Sequence, residues 1–499
     1  MERMLQGVQV WAPYESITLR SLASPDVLRS HWWGGYRPAA SDATSLWSWL
    51  LEGRANFQEY FAAGGTEGLF NQNLTYRDYF LNLLPDLREI ESGLGLLLAG
   101  SRVVSDTDVA VHYSRESFHA SLALGELART ASSDKALADV FGKLAQDFRY
   151  AGSRQINDGG LLAPRAKVLF LPASYCLSER TAKAVESFAR DGGTVVADVM
   201  PGVLSEYGRR LPSGLLDDLF GATCSGVTSP RRVEDLAVSG ALWEQRVDLG
   251  LGAGVIDAAT RTTTGQALAV VDGVPVVIRH DHGRGRSVLM NFDMARAPKA
   301  AAADAVRACL AVAGVRPEYR LDGPEGSRVS VLRRGDVTLV GVMLPAENPQ
   351  EAELAWDAPM HAYDVRKGEY CGRTRAVPLP PLPPTPYGRR AQVHLIAIQP
   401  EPVEGIRLRA PSSIARGAVL PLGLQLRPGK VCARDRLLRI DVIDPSGAAP
   451  RNLRGFLTLA DATASRNIPF AFNDPPGEWT VRATDVASGV SGDVAVRLE

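Results

Sequence analysis

One segment in the middle of the chain constrains the fold more than any other. The continuous apolar run Val168-Leu169-Phe170-Leu171 is typical of a strand that is covered on both faces of its sheet. A helix with Val185 and Phe188 on one face follows, and it ends at Gly192-Gly193, directly before the strand-like run Thr194-Val195-Val196-Ala197. Because a glycine after a helix satisfies the last carbonyl groups, this order predicts a strand–helix–strand crossover in a parallel sheet.

Strand and helix signals alternate on both sides of this crossover. Upstream, the run Val109-Ala110-Val111-His112-Tyr113 is typical of a strand. Downstream, residues 230–295 are rich in strand signals, with a tight turn at Asp272-Gly273, and a helix follows over about residues 300–313. We therefore predict an α/β domain over residues 101–315.

Residues 1–100 contain too few repeats for a complete (β/α) barrel. Strand-like runs at residues 8–11 and 55–61 flank a helical segment rich in leucine and tryptophan. A second helix, with leucines at three- and four-residue intervals, is predicted over residues 76–98, and Pro85 is predicted to kink or split it. Since a closed eight-stranded barrel takes ~250 residues, this region is predicted to be a partial TIM-barrel-like segment that holds the last βα units.

Beyond the α/β domain, strand signals replace helical periodicity. Residues 328–342 indicate a hairpin across an Arg-Gly-Asp turn, and the proline-rich run at 378–386 predicts an extended loop. We predict a small antiparallel β domain with this loop over residues 316–402. Residues 403–499 alternate short strands with turns, which predicts an immunoglobulin-like β-sandwich with Trp479 in its core.

Composition argues against several classes of partner. The 499 residues contain 55 Lys plus Arg and 56 Asp plus Glu, so the formal charge of −1 offers no broad attraction for nucleic acid or an anionic membrane. The five cysteines stand singly and indicate neither a disulfide framework nor a zinc cluster, so no metal or other cofactor is expected. The amino terminus lacks the apolar core of a signal peptide, and a reducing cytoplasm is the predicted location.

Three stretches of the α/β region resemble one known family. The trimerisation domain of family 42 β-galactosidases is similar to Lys167–Ser178, to Phe188-Ala189-Arg190-Asp191-Gly192-Gly193-Thr194-Val195-Val196-Ala197-Asp198 and to His282-Gly283-Arg284-Gly285-Arg286-Ser287-Val288-Leu289-Met290-Asn291-Phe292. This resemblance covers about residues 101–315. It implies a flavodoxin-like domain of the class I amidotransferase type.

The resemblance also implies an activity. Upstream, Trp32-Trp33-Gly34-Gly35-Tyr36 resembles the last barrel strands of the same family. A carbohydrate substrate, a homotrimer and hydrolysis of terminal galactosides through a covalent intermediate are therefore expected, a reaction that needs two carboxyl groups about 5 to 5.5 Å apart. The family's acid/base on barrel strand 4 has no counterpart here, and its strand 7 glutamate aligns with Ser30–Tyr36, which has no carboxylate. No catalytic residue is assigned.

Five residues are candidates for sugar contact. Trp32, Trp33 and Tyr36 either form an aromatic platform for a sugar ring or pack into the core. Glu59 lies near the end of a strand-like run, where barrel enzymes place active-site residues, or it forms an ion pair on the barrel wall. Glu67, between two glycine turns, resembles the family's sugar-binding glutamate or is a solvated loop residue.

Two further motifs are predicted to have structural roles and not catalytic or metal-binding ones. Cys176 follows an apolar strand, as an amidotransferase nucleophile does, but the glycines of a nucleophile elbow do not flank it. His280-Asp281-His282 alternates between the faces of a strand before the turn Gly283-Arg284-Gly285, which argues against metal ligation. Three hypotheses remain: a β-galactosidase-like fragment or truncated homologue without a complete active site, a noncatalytic scaffold for oligomerisation or carbohydrate contact, and a cysteine amidohydrolase.

Overall fold

The protein has a mixed architecture of α/β and β structure in two compact units. The α/β unit contains Ser21 and the described residues of 105–318, and the β-rich unit contains those of 6–11, 28–104 and 319–499. None of the described helices is long and apolar enough to cross a membrane. The computed structural model describes residues 7–10, 21, 28–33, 39–51, 57–60, 70–71, 73–103, 108–123, 129–144, 146–161, 166–224, 229–324, 326–427 and 434–499.

A seven-stranded sheet forms the centre of the α/β unit. The first five strands are parallel to their neighbours and the last two are antiparallel. From one edge to the other, the strands are Arg149–Gly152, Val109–Tyr113, Val168–Leu171, Thr194–Ala197, Gly285–Leu289, Val274–His282 and Gln266–Val271. The chain therefore winds outward in both directions from Val109–Tyr113 and Val168–Leu171, as in a doubly wound sheet.

Helices and short strand pairs surround this sheet. The helices are Arg115–Ala123, Thr130–Lys143, Ser153–Asn157, Glu179–Arg190, Asp217–Phe220 and Lys299–Val312, with a 3₁₀ turn at Met294–Arg296. Three two-stranded pairs complete the unit: Cys176–Leu177 with Leu204–Ser205, Ala222–Cys224 with Thr260–Thr262, and the long hairpin Pro230–Leu242 with Gln245–Asp257.

The predicted crossover is confirmed at the level of individual residues. The side chains of the strand Val168–Leu171 alternate between two separate cores, one on each face of the sheet, and none is more than 1% exposed. The following helix begins at Ser178, whose hydroxyl accepts a hydrogen bond from the Thr181 backbone N–H at 3.1 Å. It ends before Gly192, whose φ of +111° is a backbone conformation that favours glycine.

The β-rich unit begins with a parallel three-stranded sheet. Its strands are Gly7–Val10, Leu28–Trp33 and Phe57–Tyr60, in sequence order across the sheet. The helix Ala39–Leu51 connects the second strand to the third, as a parallel connection requires. Trp47 and Leu51 of this helix are fully buried in the core of the β-rich unit.

The next helical region breaks at a different residue from the one predicted. The helix Asp78–Glu89 continues through Pro85, and the backbone leaves helical values at Gly93, where φ is +125°, before the helix Gly95–Ala99. A Cβ atom at Gly93 would lie 3.0 Å from both Phe456 and Val486. The helix is therefore not split at Pro85, and the break lies at Gly93, whose backbone conformation favours glycine.

A seven-stranded antiparallel sheet follows. The predicted hairpin is present as Arg328–Arg334 and Val337–Leu344, paired in continuous register. The strand Glu369–Leu379 pairs with Ala352–Asp364 and includes Pro378, so the proline-rich loop begins later than predicted. The remaining order across the sheet is Tyr319–Asp322, Ala352–Asp364, Gln392–Gln399, Val337–Leu344, Arg328–Arg334 and Arg102–Val103.

The carboxy-terminal residues form two facing sheets around one core. Trp479 is 1% exposed, contacts the ring of Phe470 edge-on at 5.0 Å and donates its indole N–H to the Pro475 carbonyl oxygen. The three-stranded sheet contains Gly405–Arg409, Val419–Arg427 and Thr463–Pro469. The five-stranded sheet contains Ser413–Ile414, Ser491–Leu498, Gly477–Asp485, Arg436–Ile443 and Gly455–Leu459.

Buried carboxyl groups predict how the stability of the α/β unit depends on pH. Burial raises the pKa of Asp134 to about 7, although the hydrogen bond from the Tyr150 hydroxyl at 2.9 Å lowers it in part. The folded carboxyl group therefore keeps its proton at pH values where the unfolded one has lost it. The free energy of unfolding should fall as pH rises from about 4 to about 7.

We expect Asp134→Asn to weaken this pH dependence and to stabilise the α/β unit at pH 8, by up to about 4 kcal/mol. Urea unfolding followed by hydrogen exchange of the strand Val168–Leu171 would measure the effect. Asp139→Asn is the matched control, because Asp139 lies on the same helix in a solvent-exposed pair with Lys135. If the stability of Asp134→Asn changes with pH as steeply as that of the wild type, Asp134 is not the source of the pH dependence.

Candidate functional site

The parallel three-stranded sheet brings two of the five candidates together. Its register pairs Trp32 with Glu59 and Trp33 with Tyr60 on neighbouring strands. Because the strands are parallel, their carboxyl ends meet at one edge, and this edge is where (β/α) barrels place their active sites. Trp32, Trp33 and Glu59 thus lie towards the carboxyl ends of two neighbouring parallel strands. Tyr36 and Glu67 lie outside the described residues.

The three described strands of this sheet do not contain a pair of carboxylates. The described strands Gly7–Val10, Leu28–Trp33 and Phe57–Tyr60 contain one carboxylate among them, that of Glu59. Hydrolysis with a covalent intermediate requires a general acid/base and a nucleophile, both of them carboxyl groups. The three described strands therefore do not supply both groups among themselves.

A buried ion cluster, missed by the sequence analysis, holds the neighbouring helix. Arg366 donates to Asp86 at 2.6 Å and to Glu89 at 2.6 Å, and Arg390 also contacts Glu89. The indole N–H of Trp47 donates to the same Asp86 oxygen at 2.9 Å, while the Arg366 guanidinium lies 4.5 Å from the Trp47 ring centre. The cluster therefore connects the helix that crosses between the parallel strands to the antiparallel sheet of the same unit.

The carboxyl edge of the doubly wound sheet does not form a cysteine active site. The sharp turn after the strand Val168–Leu171 is at Ala173, whose φ of +37° is unusual for a residue with a side chain. Its backbone N–H donates to Asp198 at 2.7 Å, and burial raises the pKa of that carboxyl group to about 6. Cys176 lies three residues farther on and is 2% exposed. An alanine therefore occupies the elbow position that a nucleophile would need.

His112, at this edge, forms hydrogen bonds with two serine hydroxyls. The Nδ1 atom of His112 lies 3.0 Å from the Ser174 hydroxyl, and its Nε2 atom lies 3.2 Å from the Ser153 hydroxyl. Burial lowers the pKa of His112 to about 4, so the ring is neutral at neutral pH. Both nitrogens already have partners, which leaves the ring unsuited to serve as a base for Cys176.

Residues of the His280-Asp281-His282 motif make separate hydrogen bonds to different parts of the unit. His280 contacts the Leu219 carbonyl oxygen at 3.0 Å and the Thr264 hydroxyl at 3.1 Å. Asp281 accepts the indole N–H of Trp243 at 2.9 Å. The part of the chain that the structure describes contains no cluster of three or more His, Cys, Asp or Glu side chains with metal-binding geometry.

Comparison with known proteins identifies the α/β unit. Residues 164–314 match the family model of the beta-galactosidase trimerisation domain, within the region where the sequence resembled it. The predicted resemblance to family 42 β-galactosidases is thereby confirmed. Comparison with curated protein sequences gives no match.

Solved β-galactosidases share the fold of this protein. A β-galactosidase from Bacillus circulans sp. alkalophilus superposes with a TM-score of 0.61 at 17% identity, over 77% of this chain and 57% of that one. A β-galactosidase from Rahnella sp. R3 gives a TM-score of 0.56 at 16% identity, over 79% and 60%. A catalytic mutant of a GH42 β-galactosidase from G. stearothermophilus gives 0.58 at 14% identity, over 78% and 56%. The chain thus matches between half and two thirds of the length of these relatives.

Thiol labelling tests the interpretation of Cys176. We expect iodoacetamide to label the exposed Cys371 in the native protein, whereas the buried Cys176, Cys224 and Cys309 should react only after unfolding. Peptide mass spectrometry at successive times would measure each rate, with Cys371 as the internal control. If Cys176 in the native protein reacts as fast as Cys371, the interpretation of Cys176 as an unreactive core residue is wrong.

Proposed function

We propose that this protein is a β-galactosidase-like protein whose α/β unit assembles three copies and whose parallel three-stranded edge contacts terminal galactosides. The observation that carries the proposal is the match of residues 164–314 to a β-galactosidase trimerisation domain. The same chain also contains a parallel βαβ arrangement, with Trp32 beside Glu59 at its carboxyl edge. The described ranges thus combine an assembly domain with part of a sugar-binding edge.

The α/β unit is proposed to serve assembly and not catalysis. Its doubly wound sheet suits the class I amidotransferase-like fold that the resemblance implies. Ala173 at the elbow has no nucleophilic atom, and Cys176 is buried three residues away. These features disfavour the cysteine amidohydrolase hypothesis and leave the surface of the unit for contacts between copies.

The parallel edge is proposed to contact the sugar. Trp32, Trp33 and Tyr36 supply flat apolar rings that cover the C–H groups of a pyranose, and Glu59 and Glu67 accept hydrogen bonds from its hydroxyl groups. Hydrolysis of terminal galactosides belongs to a complete active site with two carboxyl groups, to which these residues contribute substrate contacts. A noncatalytic carbohydrate-contact scaffold is the second candidate, since Glu59 is the one carboxylate on the three described strands.

The proposed location is a reducing cytoplasm. Cys176, Cys224, Cys309 and Cys371 are all free thiols. Reduced cysteines of this kind are typical of intracellular proteins.

Galactoside binding by the purified chain tests the sugar-contacting edge. We expect calorimetry to detect binding of methyl β-galactoside, and Glu59→Gln to weaken it by about tenfold, because hydrogen bonds to a charged carboxylate contribute more than neutral ones. Trp32→Ala should weaken binding through lost ring contact. Glu353→Gln is the matched control, since this exposed glutamate lies on an antiparallel strand.

One outcome would contradict the proposal, and a second would decide between its two candidates. Unchanged affinity in both Glu59→Gln and Trp32→Ala would remove the parallel edge as the contact site. Release of nitrophenol from a chromogenic galactoside at enzyme-like rates would show that the chain contains a complete catalytic pair, and the noncatalytic candidate would then be wrong.

A further inference from the structure

The outer face of the three-stranded sheet of the sandwich has an unusual charge pattern. Along Val419–Arg427, leucines point into the core while alternate residues are exposed or half-buried. The exposed positions include three arginines and three uncharged polar residues, which we name the arginine face: Arg407, Arg409, Arg427, Gln425, Thr463 and Ser465.

The register arranges these side chains in rows. Arg407, Gln425 and Thr463 stand side by side across the three strands, and so do Arg409, Gly423 and Ser465. Arg427 lies one step farther along the same face, opposite Gly405. Successive positions on one face of a strand are roughly 7 Å apart, so the guanidinium groups form an extended series and not a single point of charge.

No acidic residue balances these charges on the sheet itself. The strands Gly405–Arg409, Val419–Arg427 and Thr463–Pro469 contain neither Asp nor Glu. Among the described residues, the three arginines form no ion pair closer than 4.0 Å. Because positive charges on one face repel one another, binding an external anion at this face is electrostatically favourable.

On the five-stranded sheet of the same sandwich, two arginines have carboxylate partners. Arg482 forms a two-pronged pair with Asp493 on the neighbouring strand, at 2.8 and 2.7 Å. Arg439 and Arg454 both contact Asp441, at 2.7 and 2.9 Å. Arg439 and Arg482 of the five-stranded sheet thus have carboxylate partners, whereas the three arginines of the arginine face have none among the described residues.

We propose that the arginine face binds an acidic oligosaccharide, one whose sugars bear carboxylate or sulfate groups. A guanidinium group donates a planar pair of hydrogen bonds that fits either anion. Gln425, Thr463 and Ser465 lie between the arginines and offer amide and hydroxyl groups to sugar hydroxyls. Gly423 has no side chain, so no side chain separates Arg409 from Ser465 in their row.

A polysaccharide fits this face better than a nucleic acid does. The outward positions of the three strands bear no aromatic ring on which a base could stack, and the chain as a whole has a formal charge of −1. The inference goes beyond the proposed contact with galactosides, which are neutral. It assigns a second, independent carbohydrate site to the carboxy-terminal sandwich.

Calorimetry on the full chain tests the proposal with three probes: tetragalacturonate, a sulfated galactan oligosaccharide and a neutral galactan oligosaccharide of equal length. We expect at least one acidic probe to bind and the neutral one not to bind at this face. The triple variant Arg407→Gln, Arg409→Gln, Arg427→Gln should lose at least about tenfold in affinity, because three charge-assisted contacts are removed. Binding should also weaken with added salt.

The control makes the same charge change elsewhere. Arg373→Gln, Arg375→Gln, Arg497→Gln replaces three exposed arginines on other sheets and should leave the affinity within about twofold, since no contact to the anion is removed. Circular dichroism would verify that both variants fold. The galactoside affinity assigned to Glu59 should be unaffected by either variant, so the two proposals fail separately.

Three outcomes would overturn the inference. The first is equal binding of acidic and neutral probes. The second is unchanged affinity in the arginine-face variant. The third is equally tight binding of polyglutamate or single-stranded DNA of the same charge, which would indicate a general anion surface in place of a carbohydrate site.

Discussion

The parallel sheet of the α/β unit must be covered on both faces, and much of the structure follows from this constraint. The residues Val168–Leu171 alternate between two apolar cores, and neither core is complete without helices on its own side. Helices therefore have to follow strands, and the connections collect at the two ends of the sheet. The carboxyl edge created in this way has the geometry of an active site, yet it holds Ala173 at the elbow and a neutral, fully engaged His112. Neither residue supplies an activated nucleophile at this edge.

Charged groups that are distant in sequence connect several elements of the β-rich unit. Asp86 and Glu89 on a helix contact Arg366 and Arg390 in connections beside the antiparallel sheet, and within the sandwich Arg436 donates to both oxygens of the buried Asp485. A buried ion pair returns little net stability because both charges lose their hydration, but removing one partner leaves a costly unpaired charge. Such pairs specify one arrangement of helices and strands. Here that arrangement places the helix Ala39–Leu51, and with it the parallel strands that contain Trp32 and Glu59.

Local patterns in the sequence predicted those parts of the fold that local chemistry determines. The crossover at residues 168–197, the hairpin at 328–344 and the buried Trp479 all depend on alternation, turns and glycines within a short stretch. Gly93 packs against Phe456 and Val486, and Arg366 lies 280 residues from its partner Asp86, so no local pattern could reveal these contacts. For the candidate site, the sequence selected Trp32 and Glu59, and the register of the strands then placed them side by side. The arginine face depends on the pairing of three strands and was equally invisible to local patterns.

The central claim is that the α/β unit assembles this protein into a β-galactosidase-like oligomer. Sedimentation velocity of the purified chain, over a range of micromolar concentrations, tests that claim most directly. The account predicts a single species with three times the mass of the chain. A species that stays monomeric across the whole range would contradict it.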